Sequence, residues 1–258
     1  MKHRYFISLS VILMTAFLFS GCKFEKNDGS PKKQIYEWRI YTLTGDGTTL
    51  DDFFQKTLIP AYNRYKVSVG AFSIHNKGED EKEQRYLLFV YPDLQTFNKV
   101  RKSVWNDKTF QDAARPFFEA TAPRPVYSEY ETYICEAFDK MPEMRIPDKS
   151  RTLFEYRNYH SPNEDANQRK IKMFNVEEID LFDKVGINSV CYGELLAGTR
   201  MPTLIYLTWY KDEDARNSAW RAFSSHPDWN AMRNRPEYRN TATNNISKLL
   251  SPMPYSQF

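Results

Sequence analysis

The sequence predicts an α+β fold in which two consecutive β-α-β-β-α-β units pack their antiparallel sheets together and close a barrel within one chain. The first observation is a phrase, aromatic-Glu-aromatic-Arg-x-Tyr, that occurs at Tyr36–Tyr41 and again 118 residues later at Phe154–Tyr159. The second is an apolar run ending in Tyr-x-Asp, which recurs 119 residues apart at Tyr91–Asp93 and Tyr210–Asp212. The third is the length of 258 residues, which accommodates about two domains of ordinary size. Two sequence patterns that recur at nearly the same spacing indicate a duplicated unit.

The first unit is predicted at residues 34–138. Apolar runs bounded by polar turns predict four strands, at Ile35–Leu43, Val67–His75, Arg85–Tyr91 and Tyr127–Ile134. After the first strand, Thr49 is a suitable cap for an amphipathic helix, which Pro60 is expected to kink or end. After the third strand, Asp93 is expected to cap a second helix, and Thr109–Glu119 continues helically.

A linker is predicted at residues 139–150, where prolines and charges interrupt the pattern, and the second unit follows at residues 151–258. Its strand signals lie at Leu153–Tyr159, Asn188–Leu196, Pro202–Tyr210 and Asn245–Leu250. Apolar spacing around Phe174 predicts the helix after the first strand. Asp212 is expected to cap the next helix, and a short helix begins near His226.

The resulting order, β-α-β-β-α-β, is that of the ferredoxin-like unit. Such a unit has an antiparallel sheet with helices on one face only, so its other face must be covered. Two such sheets in one chain can cover each other, which is why the sequence predicts two tandem ferredoxin-like units forming an intrachain α/β barrel.

The first 22 residues have the composition of a secretory signal. A positive start with Lys2 and Arg4 precedes an apolar stretch that ends in Phe19-Ser20-Gly21-Cys22, which resembles a bacterial lipobox. We therefore expect Cys22 to be lipidated, residues 23–33 to be a flexible tether, and the protein to be anchored in the bacterial cell envelope, facing the periplasm or the surface. The alternatives are a plain signal peptide cut near Gly21 and an uncleaved anchor.

Several function classes are disfavoured by composition and motifs. The chain has a net charge of +3, and the part after the signal segment is nearly neutral, so no nucleic-acid partner is expected. No phosphate-binding glycine loop, nucleophile elbow or Cys/His cluster occurs, so the sequence predicts no metal site and no cofactor. Cys135 and Cys191 are interpreted as buried free thiols rather than a disulfide.

The repeated phrase provides the candidate site. Because side chains alternate across a strand, its Glu, Arg and Tyr share one face and its other aromatic residues share the opposite face. We expect the apolar set to face the helices and the polar set to face the space between the two sheets, as walls of a ligand pocket or as a satisfied ion-pair ladder. The candidate ligand-binding residues are Glu37, Arg39, Tyr41, Glu155, Arg157, Tyr159 and His160.

The chain resembles the NIPSNAP family, within the dimeric α/β-barrel (ferredoxin-like) superfamily. The resemblance rests on the two copies of the phrase and on Phe223–Trp229, and it extends from about Ile35 to the end. It implies the fold but no catalytic residue. Superfamily relatives include cofactor-independent monooxygenases and haem-binding enzymes, which is an analogy of fold alone.

These observations predict a lipid-anchored NIPSNAP-like protein that binds a small planar or anionic ligand between its sheets. A cofactor-independent monooxygenase or isomerase using the same cavity is the alternative, and a protein-interaction scaffold is the third reading. Whether a reaction is catalysed stays open, and so does the oligomeric state.

Overall fold

The computed structural model of the chain describes residues 32–258. The predicted signal segment with Cys22, and the predicted tether apart from its last two residues, lie outside the described residues. Among the helices of residues 32–258, none is long and apolar enough to cross a bilayer.

The first half of the described chain has four strands, and helical segments connect the first strand to the second and the third to the fourth. The strands are β1 (Ile35–Leu43), β2 (Ser68–Ile74), β3 (Gln84–Tyr91) and β4 (Tyr127–Ala137). After β1 the chain forms α1 (Thr48–Phe53), a π-helical segment (Phe54–Leu58) and α2 (Ile59–Asn63) without a break. After β3 it forms α3 (Leu94–Asn106), capped by the Asp93 side chain, and α4 (Lys108–Thr121), capped by Asp107.

The second half has the same order. Its strands are β5 (Leu153–His160), β6 (Asn188–Ala197), β7 (Thr203–Tyr210) and β8 (Asn244–Pro252). After β5 come α5 (Glu164–Met173), a second π-helical segment (Phe174–Glu178) and α6 (Ile179–Val185). After β7 come α7 (Glu213–Ser225), capped by Asp212, then α8 (Pro227–Arg233) and a short 3₁₀ turn (Pro236–Tyr238).

The eight strands close one antiparallel barrel in the order β1-β3-β2-β8-β5-β7-β6-β4. The last strand of each half completes its own sheet and also joins the other sheet: β4 pairs with β1 and β6, and β8 pairs with β5 and β2. Closure leaves no free sheet edge among these strands. The predicted fold, with two ferredoxin-like units forming an intrachain barrel, is therefore confirmed.

The space between the two sheets is filled. Buried apolar side chains from both halves meet there, including Tyr36, Trp38 and Tyr156. The Trp38 and Tyr156 rings contact edge to face at 5.0 Å between centroids. Cys135 and Cys191 lie in the same interior as free, buried thiols, and burial raises the pKa of both.

The predicted orientation of the repeated phrase is therefore wrong. Tyr36, Trp38 and Ile40 point into the barrel, whereas Glu37 and Arg39 point outward, toward the helices. The physical reason is that an eight-stranded barrel has just enough interior to be filled by side chains, and a sealed interior favours the apolar set. In the layer between sheet and helices, Arg39 pairs with Glu37 and Arg157 pairs with Glu155, so the charged set can lie there although it is largely buried.

Both π-helical segments occupy the same place, between the two halves of the helix that follows the first strand of each unit. Pro60 is the second residue of α2, just after the first segment, where its missing N–H is tolerated. The second segment is followed by Asp180 at the matching position, so proline is not the cause of the π geometry. Single π turns inside α-helices are frequent at functional sites, and each of these two borders a cavity.

Candidate functional site

Each half of the chain has a cavity between the outer face of its sheet and its helices. The first-half cavity measures about 400 Å³. It is lined by Glu37, Arg39, Tyr41, Leu50, Phe53, Phe54, Leu58, Arg101, Trp105, Phe110, Phe117, Phe118, Tyr127, Tyr130, Thr132 and Ile134. Nine of these sixteen residues are aromatic, so aromatic rings form most of the wall beside a smaller set of polar groups.

Strand register places the polar wall of the first-half cavity. Arg39 on β1 lies opposite Thr132 on β4, and Tyr41 lies opposite Tyr130, so these side chains share the outer face of the sheet. The opposite wall is aromatic: the Phe53 and Phe117 rings stack at 4.1 Å between centroids. The cavity therefore has one polar side and one flat aromatic side.

Arg39 is the buried cation of the first-half cavity. Its Nε donates to a carboxylate oxygen of Glu37 at 2.7 Å, and its Nη2 donates to the Tyr62 hydroxyl at 2.7 Å. The guanidinium carbon lies 4.3 Å from the centre of the Phe89 ring. Burial opposes the charge, but the neighbouring Glu37 carboxylate raises the pKa of Arg39 above its ordinary value, so the group stays charged. Tyr91 donates the remaining hydrogen bond to Glu37, at 2.6 Å.

The second-half cavity is larger, about 670 Å³, and more polar. It is lined by Tyr159, Lys170, Met173, Glu178, Trp220, Phe223, Ser224, Trp229, Arg233, Asn234, Tyr238, Arg239, Asn240, Thr241, Ala242 and Asn245. Lys170, Met173 and Glu178 are buried at its floor, while Arg233 and Arg239 are exposed at its rim.

The floor of the second-half cavity holds a buried ion pair. The Lys170 ammonium is 2.7 Å from a Glu178 carboxylate oxygen, and the two side chains are only 6% and 3% exposed. The ammonium also lies 4.7 Å from the Phe174 ring centre and 5.6 Å from that of Trp229, so aromatic faces surround it. Burial raises the pKa of Glu178 although Lys170 acts in the opposite direction.

The ion pair has no counterpart in the first half. Leu58 and Glu178 are the last residues of the two π-helical segments, and Leu50 and Lys170 each lie four residues before the start of theirs. At matching positions the first half thus has two leucines where the second half has a lysine and a glutamate. The two cavities share a place in the fold and differ in chemistry.

Glu155 forms a sealed network beneath α7 rather than a pocket wall. Its carboxylate, fully buried, accepts from Arg157 at 2.7 Å, from Arg216 at 2.6 Å, from the Trp220 indole at 2.8 Å and from Ser247 at 2.7 Å. Burial by itself raises the pKa of Glu155, but the hydrogen bonds and charges of the two arginines hold it below its ordinary value.

The structure divides the predicted site residues into three groups. Glu37, Arg39 and Tyr41 line the first-half cavity together. Tyr159 lines the second-half cavity, while Arg157 borders a shallow surface cleft beside Arg216. The remaining two border neither cavity: Glu155 is sealed, and the His160 ring makes a 3.3 Å hydrogen bond to Thr243 at the strand end.

Sequence reasoning missed Lys170 and Glu178. Both fall on a helix whose apolar spacing draws attention to its hydrophobic residues, and a lysine on a helix is ordinarily solvent-exposed. Aligning the two halves would have given a signal, because the charged pair stands where Leu50 and Leu58 stand in the first half.

Comparison with known proteins finds a family model that matches the second unit and solved structures that share the fold. The NIPSNAP family model matches residues 154–257. A search of curated proteins finds no match. A structure from Fusobacterium nucleatum described as a candidate monooxygenase is 13% identical, with a TM-score of 0.52, over 85% of this chain and 92% of that one. Another so described, from Lactobacillus acidophilus, is 10% identical, with a TM-score of 0.56, over 85% of this chain and 94% of that one.

A NIPSNAP family protein of unknown function from Agrobacterium tumefaciens is 18% identical over 43% of this chain and 96% of that one, with a TM-score of 0.38. The two candidate monooxygenases share the fold of this chain over most of its length. The family match covers the second unit of the barrel, from the repeated phrase on β5 to the end of the chain. Over residues 154–257, this chain is similar to the NIPSNAP family.

Proposed function

We propose that this protein binds a planar aromatic molecule with an anionic group in the first-half cavity. The observation that carries the proposal is a buried, charged guanidinium, that of Arg39, in a pocket whose other walls are mostly aromatic. Flat rings favour stacking on a planar ligand, and a guanidinium favours a carboxylate, sulfonate or phenolate.

The charge of the first-half cavity supports an anion. Besides tyrosines, its ionisable lining groups are one carboxylate, Glu37, and two guanidiniums, Arg39 and Arg101. Two guanidiniums against one carboxylate leave the cavity with an excess of one positive charge, and Glu37 already accepts hydrogen bonds from Arg39 and Tyr91. Trp105 is 54% exposed while lining the cavity, so it stands at the mouth.

A pair of fluorescent probes tests the proposal. Anilinonaphthalene sulfonate is an aromatic anion built on a flat naphthalene ring, and phenylnaphthylamine is the same ring system without the charge. We expect the double substitution Arg39→Met with Glu37→Gln to weaken sulfonate binding about tenfold and to leave amine binding within about twofold. Removing both charges together avoids orphaning either one.

Trp105→Ala is the matched control, because it removes an aromatic wall and no charge. This variant should weaken the binding of both probes. Equal affinity of the double variant and the wild type for the sulfonate would contradict the role of Arg39. Failure of the wild type to bind either probe would contradict the proposed ligand site and favour the interpretation as a protein-interaction scaffold.

A second candidate is oxygenation without a cofactor in the same cavity. It is favoured by the two fold neighbours described as candidate monooxygenases. The Glu37 carboxylate already accepts hydrogen bonds from Arg39 and Tyr91, so it is not free to act as a base. Ligand binding is therefore the leading proposal. Oxygen consumption in the presence of a planar phenol that binds the cavity separates the two: consumption that Trp105→Ala reduces would favour the enzyme.

We also propose that the protein is a lipoprotein of the bacterial envelope, anchored through Cys22. The support is the position of Cys22 directly after an apolar run and small residues. Cys22→Ser should move the protein from the membrane fraction to the soluble fraction and abolish labelling by a fatty-acid analogue. Ser20→Ala serves as a control that keeps a small residue before the cysteine. An unacylated Cys22 in the mature protein, measured by mass spectrometry, would refute the anchor.

A further inference from the structure

We infer that the second-half cavity is a separate binding site for a hydroxyl-bearing organic anion, of the size of a single sugar acid. This goes beyond the planar ligand proposed for the first-half cavity and does not depend on it. The inference rests on the chemistry of the floor, of the walls and of the rim.

The floor offers a donor and an acceptor side by side. The Lys170 ammonium and the Glu178 carboxylate are in contact, both are buried, and both line the cavity. A hydroxyl group can accept from the first and donate to the second at once, whereas an apolar group would leave both without a new partner. The pair therefore selects for a ligand that carries hydroxyls.

The walls suit a compact ring. Trp220 and Trp229 supply flat, partly exposed faces, and Tyr159 and Tyr238 are buried beside them. Three asparagines that can donate and accept stand at the opening, Asn234, Asn240 and Asn245. A volume of about 670 Å³ is within the range of pockets for small molecules.

The rim carries positive charge. Arg233 and Arg239 are exposed there. Together with Lys170 they give the lining three cationic side chains against one carboxylate, Glu178. Guanidinium groups bind carboxylate and phosphate through paired hydrogen bonds. A ligand with hydroxyls directed to the floor and an anionic group at the rim would form hydrogen bonds with the Lys170–Glu178 pair and ion pairs with the rim arginines.

The comparison between halves indicates that this chemistry is specific to the second cavity. In the first half the positions of Lys170 and Glu178 are occupied by Leu50 and Leu58, both buried between sheet and helices, and the first half contributes its four strands to the barrel all the same. The fold thus does not require a charged pair at this place. A pair that the architecture does not need is available for recognition.

Three probes of similar size test the inference by calorimetric titration of the full chain. Glucuronate carries hydroxyls and a carboxylate, glucose carries hydroxyls alone, and cyclohexanecarboxylate carries the charge alone. We expect the wild type to bind glucuronate about tenfold or more tightly than either of the others. Absence of glucuronate binding, or equal binding of cyclohexanecarboxylate, overturns the inference.

Two variants locate the binding. Lys170→Leu with Glu178→Leu introduces the residues that the first half already carries, so the variant should fold, and it should lose glucuronate affinity by about tenfold or more. Arg233→Gln changes an exposed rim residue and should reduce glucuronate affinity severalfold with little effect on glucose. The Arg39→Met and Glu37→Gln variant should bind glucuronate as the wild type does. Unchanged affinity in the double leucine variant would overturn the assignment of the site.

Discussion

Replacing Glu155 by glutamine is expected to lower the free energy of unfolding by about 3–5 kcal/mol, because it leaves two part-buried guanidiniums without their counter-ion. Arg157 and Arg216 are 17% and 21% exposed, and both donate to this one carboxylate. Trp220 and Ser247 donate to it as well, and a glutamine side chain cannot accept from all of them. Urea denaturation of the variant and the wild type measures the difference.

Glu37→Gln is the control for Glu155→Gln, since Glu37 stands at the same position of the repeated phrase. Glu37 receives hydrogen bonds from one guanidinium, that of Arg39, and from the Tyr91 hydroxyl. We therefore expect a smaller loss of stability from this variant. Equal losses would show that the second arginine, Arg216, contributes little to the network.

The opposite result is expected for the buried pair of the second half when both partners change together. Lys170→Leu with Glu178→Leu should leave the free energy of unfolding unchanged or raise it by up to about 4 kcal/mol, because two desolvated charges are replaced by packed apolar groups. Either single substitution should instead cost about 3–5 kcal/mol, since it leaves one charge buried without a partner. A double variant less stable than both single variants would contradict this expectation.

The effect of the double leucine substitution should depend on pH. Burial raises the pKa of Glu178, so the folded chain binds this proton more tightly than the unfolded chain does. The contribution of Glu178 to the free energy of unfolding has its full value below the pKa that Glu178 has in the unfolded chain. It is lost as pH rises through the pKa that Glu178 has in the folded chain. The free energy of unfolding of the double variant should therefore exceed that of the wild type by more at about pH 8 than at about pH 4. Denaturation curves at the two pH values measure it.

The fold was predictable because its signals are local and occur twice. The repeated phrase predicted β1 and β5, and the Asp93 and Asp212 caps predicted the helices after β3 and β7, all of which the structure contains. Alternation within a strand is a property of the chain itself, so the partition of the phrase into two faces was also correct.

The direction of those two faces was not predictable from a single strand. Both layers of this molecule are well buried: Trp38 is 1% exposed in the barrel, and Glu37 is 2% exposed beneath the helices. Which layer takes the charges depends on how eight strands close and where water reaches, and no short segment encodes that. The cavities escaped sequence reasoning for the same reason, because their walls come from strands and helices far apart in the chain.

The strand order has a consequence for how fast the chain acquires its structure. β8 pairs Pro252 with Phe72 on β2, and β4 pairs Ala137 with Gly193 on β6, so closure joins segments distant in sequence. Contacts of this kind require large loops to close before they stabilise anything, and proteins rich in them fold slowly. Until the last strand docks, each sheet has an open edge that can pair with another chain. A nascent or refolding chain should therefore pass through an aggregation-prone stage that ends only when β8 is in place.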